Sequence, residues 1–234
     1  LHPEGGHSRG FLIGKDDQDI LVYGNLFAHN ANRNPVVSIR SRALIANNYI
    51  YNPQSASIHF YPGDPLEATV VGNVLKDGPD TNNNVTGSHW TVHVPDFGSD
   101  GPVHPESEIY VSENRSDNEV TGETTNSVLN QSGDSLLVDQ PPIQLPGLPV
   151  LPSSEVPDWV LERAGARPLD RDATDARIVE SVRNGTGKII EWIGAVGGWP
   201  SVPRNTHTLQ IPPNPNDDDD EDGYTNLEEY LHLK

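Results

Sequence analysis

The sequence predicts an all-β fold, a parallel β-helix, and three observations predict it: an internal repeat, the repeat's period, and an asparagine at a fixed place in each copy. Ile20-Leu-Val-Tyr-Gly-Asn25-Leu-Phe27 is echoed by Ala43-Leu-Ile-Ala-Asn-Asn48-Tyr-Ile50 and by Ala68-Thr-Val-Val-Gly-Asn73-Val-Leu75, and more faintly by Glu108-Ile-Tyr-Val-Ser-Glu-Asn114. The asparagines fall 23, 25 and 41 residues apart. A period in the low twenties fits one coil of a β-helix. Each copy is a short strand rich in β-branched and aromatic residues, followed by turn residues such as Asn52-Pro53 or Asp77-Gly78-Pro79. A coil exposes backbone donors and acceptors that only its neighbour can satisfy. Asparagines stacked at a bend can hydrogen-bond from coil to coil in the same way. An ordinary β-sandwich with asparagine in its turns is the competing fold; three strand–Asn–strand units agreeing in detail favour the coils. The 41-residue gap predicts a long loop over 78–107, rich in Gly, Asp, Asn and Pro.

Beyond the coils, residues 119–157 are polar and then proline-rich (Gln140-Pro-Pro-Ile-Gln-Leu-Pro-Gly-Leu-Pro), which predicts either an extended segment along the side of the coils or a flexible linker. Two short helices follow, over 157–164 and 172–183. The first opens on Pro157-Asp158; the second has Asp172 as its cap, a further acid at its third position and Asn184-Gly185 as its stop. They are expected to cover an open end or flank of the coils, where the last strand would otherwise be an unpaired edge. Trp192 and Trp199 are expected to pack rather than to serve as sugar platforms. The predicted division is residues 1–157 for coils and extended flank, 158–210 for capping helices, and 211–234 for an acidic loop with a short helix.

Composition narrows the function. No run of about 18 apolar residues exists in the 234, so nothing here spans a bilayer. Absence of cysteine excludes disulfides, zinc–thiolate sites and thiol nucleophiles. A net charge of −19 makes nucleic acid an unsuitable partner, because phosphate binding needs a basic surface. The charge is uneven: residues 1–42 hold five basic side chains against four acidic ones, so a polyanion would bind there. The chain contains no Met and opens on Leu1, and it is expected to be the tail of a longer protein. Asn-x-Ser/Thr triplets at Asn84, Asn114, Asn130 and Asn184 would suit a glycosylated, secreted surface.

One metal signal is local. Asp218-x-Asp220-x-Asp222-Gly223-x5-Glu229 matches the calcium loop of an EF-hand at positions 1, 3, 5, 6 and 12. Tyr224 would offer its backbone carbonyl and Glu229 would close the shell with both oxygens. A helix over 227–231 is expected after the loop but none before it, because Pro212, Pro213 and Pro215 intervene. The expected form is a free-standing, EF-hand-like loop binding Ca²⁺. A solvated acidic run is the plainer alternative.

The stretches His7-Ser-Arg9-Gly-Phe-Leu-Ile-Gly14, Tyr23-Gly-Asn-Leu-Phe-Ala-His29-Asn-Ala-Asn-Arg33-Asn-Pro35 and Asn47-Asn48-Tyr-Ile-Tyr-Asn52-Pro53 resemble the pectate lyase family in order, spacing and strand context. Arg171-Asp-Ala-Thr-Asp-Ala-Arg177-Ile-Val and Gly223-Tyr-Thr-Asn-Leu-Glu-Glu-Tyr230 resemble the tail of its larger bacterial and fungal members. The resemblance implies a right-handed, single-stranded parallel β-helix and a secreted, extracellular, monomeric enzyme that cleaves polygalacturonate by Ca²⁺-dependent β-elimination. A base removes the C5 proton beside the sugar carboxylate, and the C4–O bond breaks. The family's Arg-x-Pro-x-x-Arg motif supplies the base, which makes Arg33 the catalytic candidate. Ser38 stands where the second Arg belongs, and Arg40, with Arg42 from the next strand, is the expected substitute in substrate binding. Arg9 takes the place of a substrate-contacting Lys one coil earlier, a replacement that allows bidentate clamping of a carboxylate. His7 and His29 either line the groove or serve structurally. The family's catalytic Ca²⁺ ligands are mostly Asp in coils that would precede Leu1, so the chain by itself is expected to lack a full active site. Two alternatives remain. A polygalacturonase-type hydrolase would use paired acids, for which Asp16 and Asp17 are the only superficial match and read as a turn. A calcium-stabilised carbohydrate-binding module would have no catalysis at all.

Overall fold

The structure is a computed structural model that describes residues 8–61, 63–81, 92–93, 103–116, 128–129, 136–200 and 211–232. Within them the chain winds through three parallel sheets in strict rotation, which is a parallel β-helix. The first sheet stacks β1 (Leu12–Ile13), β4 (Val36–Val37), β7 (Ile58–Phe60), β10 (Val92–His93) and β13 (Val128–Leu129). The second stacks β2 (Ile20–Tyr23), β5 (Arg42–Ala46), β8 (Glu67–Val71) and β11 (Glu108–Ser112). The third stacks β3 (Leu26–Ala28), β6 (Tyr49–Tyr51), β9 (Val74–Lys76) and β12 (Arg115–Ser116). The predicted loop over 78–107 is therefore not structureless: it carries β10, the first-sheet strand of its own coil. Much of that segment, including 82–91 and 94–102, lies outside the described residues.

Register makes the core. Val22, Ile45, Val70 and Val111 stack in one row and Ile20, Ala43, Ala68 and Ile109 in the next, while Ile13, Val37 and Phe60 line up from the first sheet. All belong to or pack against one apolar cluster inside the coils. Full burial of such side chains contributes roughly 1.5–3 kcal/mol each.

Corners require backbone that most residues avoid. The residue before each repeat asparagine (Gly24, Asn47, Gly72 and Glu113) has φ between +51° and +70° and turns the chain from the second sheet to the third. The asparagines themselves form a ladder. Asn25 N–H and Nδ2 both donate to Asn48 Oδ1, Asn48 N–H and Nδ2 to Asn73 Oδ1, and Asn73 N–H and Nδ2 to Asn114 Oδ1, all at 2.9–3.0 Å. The same Nδ2 groups of Asn48, Asn73 and Asn114 also reach back to the carbonyls of Val22, Ile45 and Val70. Asn48, Asn73 and Asn114 are fully enclosed. Asn114 therefore cannot carry a glycan: its amide is committed inside the wall. Asn184 is exposed, whereas Asn84 and Asn130 lie outside the described residues.

The proline-rich segment is extended, as expected, and it runs back along the second sheet. Leu137 bridges Ile109, Ile143 exchanges hydrogen bonds with the Thr69 hydroxyl, Leu151 does the same with the Asn47 side chain, and the Tyr23 hydroxyl donates to Pro149 O. Helix α1 (Val156–Arg163) and helix α2 (Ala173–Asn184) then cover the flank formed by the third sheet. Val156, Val160, Val179 and Val182 pack against Tyr49, Tyr51 and Val74 in a second cluster. Asp172 caps α2 through Thr174 N–H and Asp175 N–H, and Gly185 closes it in the left-handed conformation. The helices thus belong to the coiled body rather than to a region of their own, and contacts divide the chain into Leu1–Pro200 and Ser201–Lys234. Trp192 and Trp199 do not pack as expected; they are 59% and 84% exposed around a short 3₁₀ helix, Ile193–Val196. In the second unit, helix α3 (Asn226–His232) follows the acidic loop, and no helix precedes it among the described residues. Among the described residues no helix is long and apolar enough to cross a membrane.

Replacing Asn73 with Ala strips two buried donors of Asn48 of their acceptor and one from Ile45 O, at roughly 1–3 kcal/mol per orphaned group. Asn25 sits exposed at the ladder's end and orphans nothing buried. Urea unfolding is expected to show Asn73→Ala several kcal/mol less stable and Asn25→Ala close to wild type; equal losses would mean that the ladder does not tie the coils.

Candidate functional site

Arg9 and Arg33 occupy the same corner of successive coils. Arg33 lies at the corner that carries the chain from the third sheet into β4, and Arg9 occupies the same corner one coil earlier, ahead of β1. Arg9 bridges Asn32, Gly10 N–H donates to Asn32 O, and Phe11 N–H donates to Arg33 O at 2.6 Å. The two arginines are therefore on adjacent coils but offset by one residue, with Arg9 level with Asn32 and Arg33 level with Gly10. Gly10 is required here, since a Cβ would overlap the Arg33 carbonyl oxygen. Arg33 itself is held left-handed at φ +62°, between a backbone pinned to Phe11 on one side and Asn34 N–H on Ser57 O on the other. Asn34 is buried and ties its carboxamide to Ala56 O and to Asn30. The Asn34–Pro35 bond is cis. The left-handed backbone of Arg33 recurs at Arg40, Asn47 and Glu113, where it likewise turns the chain at a corner.

Sequence reasoning overlooked two neighbours on the next coil. The Arg33 guanidinium lies over the ring of Tyr61, 5.8 Å from its centroid, and Tyr61 meets His59 edge to face at 6.0 Å. Strand β7 alternates, with Ile58 and Phe60 buried and His59 facing outward in register with Val36. That alternation in Ile58-His-Phe-Tyr was the available signal.

Arg40 is not part of this group. It sits at the opposite end of β4, on the corner leading to the second sheet, and its guanidinium is shared between two aspartates. Nε donates to Asp16 Oδ1 at 2.5 Å and Nη2 to Asp16 Oδ2 at 3.0 Å, while Nη1 pairs with Asp64. These bonds push its pKa further up and hold Asp16 below the usual carboxylate range. Arg42 repeats the pattern between Glu67 at 2.8 Å and Asp19 at 3.4 Å. A cleft of about 380 Å³ at this corner is lined by both arginines with Glu67, Glu106 and Glu108, a poor setting for a polyanion. Asp17 accepts from Gly14 N–H at 2.6 Å. The acid pair that a hydrolase would need is thus spent on a turn and an ion pair.

His7 lies outside the described residues. His29 is structural. Its Nδ1 faces Asn52 Nδ2 at 2.9 Å and its Nε2 faces Ser181 Oγ at 2.9 Å. Asp80 fixes the Asn52 amide, donating N–H to Oδ1 and accepting from Nδ2. Nδ1 must therefore accept, the ring proton sits on Nε2, and Ser181 receives it while donating its own to Ile178 O. The order Ser–His–Asn–Asp has the polarity opposite to that of a nucleophile relay. It pins α2 to the coils instead, together with Tyr51 Oη–H on Thr186 O and Lys76 Nζ on Val182 O.

In the second unit, ligand oxygens of Asp218, Asp220 and Asp222 lie within 4.8 Å of one another. Gly223 takes φ +98° and its N–H donates to Asp218 Oδ2. Asn226, not anticipated from the sequence, is the buried hub: its Oδ1 accepts from Asp219 N–H and its Nδ2 donates to Asn214 O. Glu229 on α3 is pushed up by the carboxylates of Asp220, then by desolvation, then by Asp222, Asp218 and Asp219. The donor set is all oxygen, as a hard cation such as Ca²⁺ requires.

A scan against protein-family models gives no match, and a search of curated proteins gives none either.

Burial lowers the pKa of His29, opposed by Asp80 and aided by Arg177, so the unfolded chain takes up the proton first on acidification. Stability is then constant above the ordinary value of 6.5 and declines as pH falls from there towards the folded-state value. The expected outcome is a melting temperature that drops more between about pH 7 and pH 5.5 in wild type than in His29→Gln. Parallel curves would show that His29 carries no proton linkage.

Proposed function

We propose that this chain forms coils of a secreted pectate lyase and contributes the basic side of a site for polygalacturonate. The observation that carries the reading is the placing of Arg9 and Arg33 at the same corner of successive coils, one residue out of register, in a chain whose Arg40 and Arg42 are held by carboxylates. Repeating carboxylates on an acidic sugar chain match guanidinium groups repeated from coil to coil, each able to clamp one carboxylate through two hydrogen bonds. In the proposed reaction, Arg33 takes the C5 proton of a galacturonate. The electron pair left behind forms the C4–C5 double bond, and the C4–O bond breaks to release the remaining chain, whose oxygen gains a proton. A guanidine takes up a proton only when neutral, so the reading also calls for positive charge beside the bound sugar.

Calcium is proposed in two roles. At the C-terminal loop Asp218, Asp220, Asp222, the Tyr224 carbonyl and Glu229 would hold it, relieving the mutual repulsion that raises Glu229. Beside the substrate it would neutralise the sugar carboxylate and acidify the C5 proton. Among the described residues, the acidic group of the C-terminal loop is the one cluster with ligand spacing, and it lies in the other unit. That observation favours, as the second reading, a chain that binds acidic polysaccharide without turning it over.

Elimination creates a conjugated double bond that absorbs in the ultraviolet, whereas hydrolysis yields only reducing ends and binding yields neither. In a form of the protein that turns over polygalacturonate with CaCl₂, Arg33→Ala is expected to lower the absorbance rate by at least about 10²-fold, the scale of a lost general base. Retained turnover removes Arg33 from the mechanism. Glu229→Gln is expected to weaken Ca²⁺ binding at the loop about tenfold without altering elimination. Calorimetry finding the same stoichiometry and affinity as wild type counts against the loop.

A further inference from the structure

We infer that Tyr61 is a positioning residue that orients the Arg33 guanidinium for an anionic ligand without pairing off its charge, an assignment that rests on the acidic-sugar reading of that corner. Three arginines follow one another along this coil, and the structure treats them differently. Arg40 lies between Asp16 and Asp64, and Arg42 between Asp19 and Glu67. Both carry their charge into a carboxylate pair and have none left for a ligand. No carboxylate pairs with Arg33 among the described residues; its charged contact is the face of Tyr61 at 5.8 Å. A ring face orients a guanidinium through its quadrupole and leaves the in-plane N–H donors pointing outward. A carboxylate in the same place would orient the group equally well and cancel the charge that an anionic sugar needs.

The ring is itself braced. His59 meets it edge to face at 6.0 Å and 70°, and His59 Nδ1 lies 3.2 Å from Ser57 O, the carbonyl that also receives Asn34 N–H. The backbone that fixes Arg33 and the rings that fix its side chain thus converge on Ser57, one coil away. A long side chain with several free rotamers gains most from such support, because less freedom is lost when the ligand arrives.

The test is calorimetric titration of trigalacturonate into the whole chain at fixed ionic strength, for wild type, Arg33→Ala, Tyr61→Leu, Tyr61→Phe and the double variant Arg33→Ala/Tyr61→Leu. Tyr61→Leu is expected to weaken binding about two- to fivefold, the scale of an exposed cation–ring contact. Tyr61→Phe, which keeps the face, is expected to restore it. In the Arg33→Ala background, Tyr61→Leu is expected to add no further loss, because a residue acting through Arg33 has nothing left to act on. Losses that multiply, or a Tyr61→Leu protein that melts like wild type and binds as tightly, overturn the assignment while leaving the acidic-sugar reading in place. Wild type that binds no trigalacturonate overturns that reading, and the role of Tyr61 with it.

Discussion

A strand of a β-helix has no hydrogen-bonding partner within its own coil, and everything else in this protein follows from that constraint. Each backbone group must be met by the coil before or after, so the register between coils is the quantity the sequence has to specify. A slip of one residue would turn every inward side chain outward. The asparagine ladder guards against it, because each Oδ1 accepts two hydrogens from one residue of the adjacent coil, and only one alignment satisfies both. Left-handed residues at the corners place the bends at matching points in successive coils, so the ladder and the valine rows stay in phase.

The same stacking gives the two ends of β4 opposite electrical characters. At one end, acid, base and acid alternate from coil to coil, so Asp16, Arg40 and Asp64 close into an ion-paired column in which the guanidinium's charge is fully met. At the other end, Arg9 stacks beside Asn32 rather than beside an acid, and Arg33 rests on an aromatic ring. A period of 23–25 residues places whatever the sequence repeats side by side, whether complementary charges or a row of like ones.

The coils were legible because the repeat is long and each copy carries its own corner. Gly24-Asn25, Asn47-Asn48 and Gly72-Asn73 announce both the left-handed bend and the ladder rung in two letters. Helix α2 was equally clear from Asp172 and Gly185. The strand β10 was hidden, since two residues amid Gly, Asp and Asn give no periodicity to read. The role of Arg40 was misjudged for a different reason. Its partners Asp16 and Asp64 each lie 24 residues away, and only the register between coils shows that they meet it. Tyr61 was missed because the resemblance guided attention to one motif, while the contact comes from the following coil. The two tryptophans were misplaced because aromatic composition predicts burial on average, whereas the short 3₁₀ turn leaves them outside.

Stacked repeats ordinarily melt from their ends, one layer at a time, since each layer touches only its neighbours. The returning segment from Leu137 to Leu151 changes that. It is fastened to the four coils at Ile109, Thr69, Tyr23 and Asn47, met in that order from Leu137 to Leu151. A lashing drawn across all four turns makes them share one fate: the outermost cannot peel away without loosening the cord that also grips the innermost. A stack that would otherwise unravel by degrees is thereby bound to come apart as a whole.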